Sequence, residues 1–227
     1  NSSTVLLSII NDILDSSKIE SGMMEIVDVY YEMGSFLNDL YNMISVRAKE
    51  KGLKLIFDID PTIPAEYYGD DKRIRQVLLN ILTNAVKYTK EGYIHFSVDS
   101  EQLVNRKVML SFKVKDTGIG IKEEDIDKIF GAFDQVNTKQ NRSIQGTGLG
   151  LAISRKLSEL MGGSVTVEST FGKGSCFTIA IPQEVIDDNP LSMEDVSDRE
   201  FKQIKNKFKA TDINVDEEKI VLVVDDN

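Results

Sequence analysis

The sequence predicts a mixed α/β domain carrying one long polar loop. Three observations predict it. Four segments place apolar residues at three- and four-residue steps, the period of an amphipathic helix. Five shorter segments alternate apolar and polar residues, the period of a half-buried strand. Between two glycine clusters, Asp116-Thr-Gly-Ile-Gly120 and Gly146-Thr-Gly-Leu-Gly150, runs a polar stretch with almost nothing to bury.

The 227 residues suit one good-sized domain with appendages. With 41% hydrophobic and 28% charged residues, the composition is that of a globular protein. A net charge of −10 argues against nucleic acid as a partner, because phosphate backbones are bound by Lys/Arg clusters. A single cysteine, Cys176, excludes an internal disulfide framework and fits a reducing, cytoplasmic setting. No apolar run reaches the ~20 residues of a membrane helix, and there is no signal peptide. Asn1 falls inside a structural element, as expected of a piece of a longer parent, whose membrane anchoring is left open.

In residues 4–20, Val5, Leu6, Ile9, Ile10, Ile13 and Leu14 recur at helical steps, and Gly22 ends the helix. Two readings stay open for it: an ordinary core helix, or half of a helical hairpin whose apolar stripe awaits a partner chain. Residues 34–51 form a second helix (Phe36, Leu37, Leu40, Tyr41, Ile44, Ala48), closed by Gly52. Leu53, Leu55, Phe57 and Ile59 then alternate as a strand, and Pro61 and Pro64 are expected to break it.

From Asp71 to Tyr88, at ~100° per residue, Ile74, Val77, Leu78, Ile81, Leu82 and Ala85 share one face. Arg73, Gln76, Asn80, Asn84 and Lys87 line the other. Solvated helix faces are mostly Lys and Glu, and an interior Asn costs roughly 0.7 kcal/mol relative to Ala. Two Asn one turn apart, followed by Lys87, point to a polar face put to use.

Tyr93 to Asp99 alternates, with Ile94, Phe96 and Val98 inward. His95, the only histidine, lies on the polar side with no evident partner and reads as a surface residue. Val108, Leu110, Phe112 and Val114 repeat the pattern, and two residues further the same phase turns Asp116 inward. A carboxylate there needs a partner. It is either the Thr117–Gly118 backbone in an Asx-turn or the amino group of a base in a pocket; phase does not choose.

Glu123 to Phe130 reads as a short helix with acidic residues in its first turn. Residues 134–145 read as a lid or a disordered segment, with Gly131 and Gly146 as the points about which a lid would move. Gly146–Gly150 opens a helix with Ile153, Leu157 and Leu160, and glycines at a helix N-terminus expose N–H groups suited to phosphate. It is neither a Walker A loop nor a dinucleotide fingerprint. A final hairpin places Val165–Glu168 against Phe177, Ile179 and Ile181, with Cys176 on the other face. From Gln183 to Glu218 the chain turns acidic and reads as a linker with one short helix at Phe201, Ile204 and Phe208. Ile220–Val224 is a continuous apolar run typical of a buried parallel strand, either paired with something else here or exposed.

Four motifs together are more specific than any alone. Asn80-Ile-Leu-Thr-Asn84-Ala-Val-Lys-Tyr88-Thr, Asp116-Thr-Gly-Ile-Gly120, Phe130-Gly-Ala-Phe133 and Gly146-Thr-Gly-Leu-Gly150-Leu-Ala-Ile resemble the N, G1, F and G2 boxes of sensor histidine kinases, in that order. The resemblance covers about residues 28–182. It implies a two-layer α/β sandwich: a mixed, mostly antiparallel sheet with helices on one face and a mobile ATP lid. Gyrase-type ATPases and the large heat-shock chaperone share that fold.

The resemblance also implies roles. Asn84 would bind Mg²⁺ with help from Asn80, through neutral oxygens suited to a hard cation already held by phosphates. Lys87 would meet phosphate, Tyr88 the base or ribose, and Asp116 the adenine amino group. Gly118 and Gly120 would let the backbone approach the base, with Ile121 beside them. Gly146, Thr147, Gly148, Leu149 and Gly150 would cradle the phosphates, while Phe130 and Phe133 would anchor the lid. Gyrase-type relatives have a Glu general base at the position of Asn80; an amide cannot take a proton, which favours phosphoryl transfer over hydrolysis.

The flanks carry the same resemblance. Asn11 to Gly22 looks like the second helix of a dimerisation and phosphotransfer hairpin, implying a homodimeric parent whose phosphoacceptor His is not among these residues. Ile220 to Asp226 looks like the first strand and acidic pair of a receiver domain, with Asp225 and Asp226 in its Mg²⁺ site. The expected divisions are 1–27 (hairpin helix), 28–182 (ATP-binding domain), 183–218 (linker) and 219–227 (receiver strand). The parent would be a hybrid kinase that passes phosphate from histidine to aspartate. A hydrolysing ATPase of the gyrase type and a degenerate nucleotide-binding or dimerisation module remain the competing readings.

Overall fold

The computed structural model describes residues 2–131, 148–191 and 220–224. Phe133, Gly146, Thr147, the 134–145 lid, the Phe201–Phe208 helix and the pair Asp225–Asp226 lie outside the described residues.

The helices are α1 (Ser2–Glu20), α2 (Met33–Glu50), α3 (Asp71–Tyr88) and α4 (Gly150–Leu160). The strands are β1 (Val29–Glu32), β2 (Lys54–Ile59), β3 (Pro64–Gly69), β4 (Tyr93–Gln102), β5 (Lys107–Asp116), β6 (Ser164–Thr170), β7 (Gly174–Pro190) and β8 (Ile220–Val224). They form one sheet in the order β1-β3-β7-β5-β4-β2-β8, with β6 beside the first half of β7. Only β2 and β4 pair in parallel among the described strands.

The alternating strands bury one face. Phe57, Phe96 and Phe112 run across β2, β4 and β5 with ring centroids 4.6 and 6.3 Å apart, and Tyr41 of α2 meets Phe57 edge-on at 5.3 Å. The apolar stripes of α2, α3 and α4 close over this face, giving the expected two layers. α3 starts where the pattern places it because Asp70 caps it. Its Oδ1 accepts from Arg73 N at 3.0 Å, and its Oδ2 accepts from Val27 N at 2.9 Å, tying the segment after α1 to the domain.

Four expectations change. Glu123–Phe130 is two single 3₁₀ turns, Glu123–Asp125 and Lys128–Phe130, rather than one α-helix; Ile126 and Ile129 stand three apart, which suits the tighter winding. β2 ends at Ile59, before the two prolines as expected, but Pro64 itself opens β3, as proline can at the first residue of a strand. Its partner β1 is a second strand that four exposed or half-exposed residues did not announce. The linker does not begin at Gln183, because β7 continues to Pro190 and pairs with β3, burying Val185. Pro182 is tolerated because it falls in the gap between β6, which ends opposite Ala180, and β3, which begins opposite Glu184. Last, β8 lies antiparallel on β2, so in this chain the apolar run pairs with the sheet edge.

Candidate functional site

The polar line of α3 reaches two distant segments, α4 through Asn80 and α1 through Gln76 and Arg73. Asn80 Nδ2 donates to Ser154 Oγ of α4 at 2.8 Å. A Cβ on Gly150 would collide with the Asn80 amide, so only glycine lets the first turn of α4 come this close. Among the described residues no side chain caps α4, and a helix start of this kind offers its first N–H groups to an anion. Gly148, at φ +73°, leads into that turn, and Leu149 is buried beneath it. Asn84, one turn further along α3, is half-buried, and its amide makes no hydrogen bond among the described residues.

At the C-terminal end, Lys87 Nζ sits 5.0 Å from the centroid of the Tyr88 ring, a cation over an aromatic face. The last carbonyls of α3 are satisfied from α2. Lys51 Nζ donates to Val86 O at 2.8 Å, Lys87 O at 3.0 Å and Thr89 O at 3.4 Å. No spacing in the sequence marks Lys51 for this, since the contact is made only by the fold.

The 116–121 turn is stitched to both α3 and the last hairpin. Asp116 is 7% exposed, and its Oδ1 accepts from Gly118 N at 2.8 Å, so the Asx-turn is present. Burial raises the Asp116 carboxyl above its ordinary value, while the amides of Gly118 and Ser175 pull it back down. Ile119 N donates to Tyr88 O at 3.3 Å, and Gly172 N donates to Ile119 O at 2.7 Å. Gly120 takes φ +67° with its α-carbon against the Thr170 carbonyl, a place no side chain could share. Ile121 packs partly buried on the core while its N–H donates to Ser169 Oγ at 2.8 Å. Ser169 in turn lies 3.0 Å from Ser175 Oγ. These two serines, whose positions in the hairpin gave no hint of it, complete the floor behind Asp116. Phe130 is tied to α4, with the Arg155 guanidinium 5.1 Å from its ring centroid.

Asn80 thus meets the start of α4 at Gly150 and Ser154, the 116–121 turn is tied to the end of α3 through Tyr88, and Phe130 lies against α4. Asn80 and Tyr88 are eight positions apart, about 12 Å at 1.5 Å per residue, the reach from a nucleobase to a terminal phosphate. The rest of the polar line is used otherwise. Gln76 Nε2 donates to Asp15 Oδ2 of α1 at 2.7 Å, and Arg73 lies 3.7 Å from the same carboxylate. A cavity of about 630 Å³ between α1, α2 and α3 also reaches Asn80, but none of the Asp116 end.

The residues fit a cation brought in by phosphates. No cluster of acidic, His or Cys side chains able to hold a metal occurs among the described residues. Asn84 offers an unengaged amide, and Asn80, with Nδ2 committed to Ser154, keeps Oδ1 toward the start of α4. Two neutral oxygens suit a Mg²⁺ that takes its remaining ligands from phosphate and water. His95 is elsewhere, on the open face of the sheet with Nε2 3.4 Å from Asp58 Oδ2, a partner on a neighbouring strand that the sequence does not reveal.

Residues 69–185, more than half of the chain, match the histidine kinase-, DNA gyrase B- and HSP90-like ATPases. The chain is 44% identical over 181 residues to hybrid signal transduction histidine kinase B of Dictyostelium discoideum, covering 80% of this chain and 9% of that protein. It is 40% identical over 183 residues to the aerobic respiration control sensor protein ArcB of Escherichia coli, covering 79% and 23%. It thus spans less than a quarter of these curated relatives. Full-length ShkA, crystallised with AMPPNP, superposes with a TM-score of 0.69 at 32% identity over 82% of this chain and 37% of that one. The nucleotide-free catalytic domain of histidine kinase ThkA gives 0.54 at 30% identity over 70% and 96%. Fold, motif order and sequence agree, and the chain belongs to the histidine kinase-, DNA gyrase B- and HSP90-like ATPase family.

Proposed function

We propose that the chain binds Mg-ATP along α3 and presents its γ-phosphoryl group to a histidine in another part of a hybrid histidine kinase, for relay to a receiver aspartate. The observation that carries this reading is the Asn80–Ser154 hydrogen bond, which brings the polar line of α3 against the start of α4. Support also comes from ShkA, crystallised with an ATP analogue, and from relatives named as hybrid kinases.

Each side chain has one task. Asp116 accepts from the amino group of adenine, and Tyr88 covers base or ribose. Gly118 and Gly120 give the base room. Asn84 and Asn80 turn amide oxygens toward Mg²⁺, and Lys87 and the amides of Gly146–Gly150 balance phosphate charge. Phe130 and Phe133 anchor one end of the 134–145 lid. When bound, Mg²⁺ neutralises charge on the phosphates. Asn80, an amide, cannot activate water, so the phosphoryl group waits for its acceptor.

That acceptor is not His95, which lies on the open face of the sheet beside Asp58. A partner chain covers the exposed α1 residues Leu6, Leu7, Ile10, Ile13 and Leu14, making the parent a homodimer. Ile220–Asp226 begins the receiver of the parent, whose kinase end acts in the cytoplasm. No helix among the described residues is long and apolar enough to cross a membrane.

Calorimetry tests the reading. ADP should bind with low-micromolar to sub-millimolar affinity, the range usual for substrates, and more tightly with Mg²⁺. No acid-labile phosphate should appear on this chain after incubation with ATP. Sustained ATP hydrolysis would favour a gyrase-type ATPase, and no binding at all would overturn the proposal.

A further inference from the structure

Ser154 is a polar residue on the buried side of α4. It is 1% exposed and shares that side with Ile153, Leu157 and Ser158. A hydroxyl in such a place has left water behind and needs a partner to offset the loss. The partner lies on another helix: Ser154 Oγ accepts from Asn80 Nδ2 at 2.8 Å.

An amide has two unlike ends, and only one of them can serve a cation. The nitrogen carries two protons to donate, whereas the oxygen is a hard, neutral ligand. The terminal torsion of asparagine is broad and roughly two-fold, so by itself it favours neither end. Here one turn of α4 settles both. Gly150 and Ser154 stand four residues apart and so lie one above the other on that helix. The nitrogen of Asn80 is spent on Ser154, while the atom nearest to a Cβ on Gly150 would be Asn80 Oδ1. Electrostatics favours the same sense. The start of a helix is its positive end, which draws an amide oxygen and repels N–H groups. Serine suits the accepting side, because on a helix its own proton can return to the carbonyl one turn back.

Resting on the reading that this face of α3 takes Mg-ATP, we infer that Ser154 is a positioning residue for the metal. Buried as it is, it touches neither nucleotide nor cation and acts only through Asn80. By holding the amide nitrogen it leaves the oxygen as the end offered to Mg²⁺. Without the hydroxyl the amide turns, and for part of the time it presents N–H groups where a cation needs a lone pair.

The test uses calorimetry of the whole chain with ADP, once with Mg²⁺ and once with a chelator. The ratio of the two dissociation constants is the metal gain. S154A should cut that gain by about 3- to 10-fold, the worth of one neutral hydrogen bond, and leave metal-free affinity within about twofold of wild type. Asn80→Asp places an oxygen at both ends, so which end faces out no longer matters. In that background S154A should leave the metal gain within about twofold. An S154A chain that keeps the wild-type gain overturns the inference. So does an equal loss of affinity with and without Mg²⁺, or the same fall in gain in the N80D background, because either pattern means that Ser154 only supports α4. A wild-type chain that binds ADP no better with Mg²⁺ overturns the metal assignment of Asn80 and Asn84, and one that binds no ADP overturns the ATP reading itself. Both results are distinct from a failure at Ser154.

Discussion

Asp116 is held against its own burial. A raised carboxyl pKa means that the folded chain keeps a proton at pH values where the unfolded chain has lost it. Stability from this residue is therefore greatest below the unfolded value of 3.8 and falls as pH climbs through the raised one. Asp116→Asn removes the charge and keeps an acceptor for Gly118 N, so the free protein should melt at the same temperature or higher at pH 7. Nucleotide affinity should instead fall by about 1.5–3 kcal/mol by calorimetry, and a loss under about half a kcal/mol would sink the adenine contact. Wild-type affinity should also weaken on acidification through the raised pKa, while the Asn variant stays flat. The position of Asp116 was legible because strand phase is local. Its company was not: Ser169 and Ser175 come from the last hairpin, and no periodicity joins them to it.

α3 was readable as an element because a cap, a period and an unusual polar line agree along eighteen residues. Its neighbours are where the reading stopped. Lys51 crosses from α2 to the C-terminal carbonyls of α3, and Lys51→Met should lower unfolding stability by about 1 kcal/mol in urea titrations, with Lys51→Arg restoring most of it. An unchanged midpoint would mean that water serves those carbonyls as well. Gly150→Ala tests the other end. The added methyl must displace either the Asn80 amide, with its bond to Ser154, or α4 itself, at a cost of up to about 1–3 kcal/mol, and should weaken nucleotide binding at the phosphates. Strands β1, β3 and the far half of β7 escaped the pattern for a related reason. Each is defined by its pairing, and Pro64 reads as a break until that pairing is seen.

For the molecule as a whole, the exposed stripe of α1 predicts self-association. Sedimentation should show a dimer at high concentration that Leu14→Glu removes, with nucleotide binding intact; a monomer at all concentrations would refute it. The fold also has an unusual thread. β2 and β4 pair in parallel, and parallel neighbours cannot be joined by a tight turn. The chain leaves β2, forms β3 toward the opposite edge, and returns through α3 before β4 is laid down. α3 is thus both the helix proposed to bind nucleotide and the connection between the two sides of the sheet. A ligand that clamps it should oppose any opening in which α3 lifts away, and such openings are what let water reach the strands on either side. Amide hydrogen exchange at Leu55, Phe57 and Tyr67, all remote from the base, should therefore slow when ADP binds. Protection limited to Asp116–Gly120 and α4 would show instead that the two sides open independently of the helix that joins them.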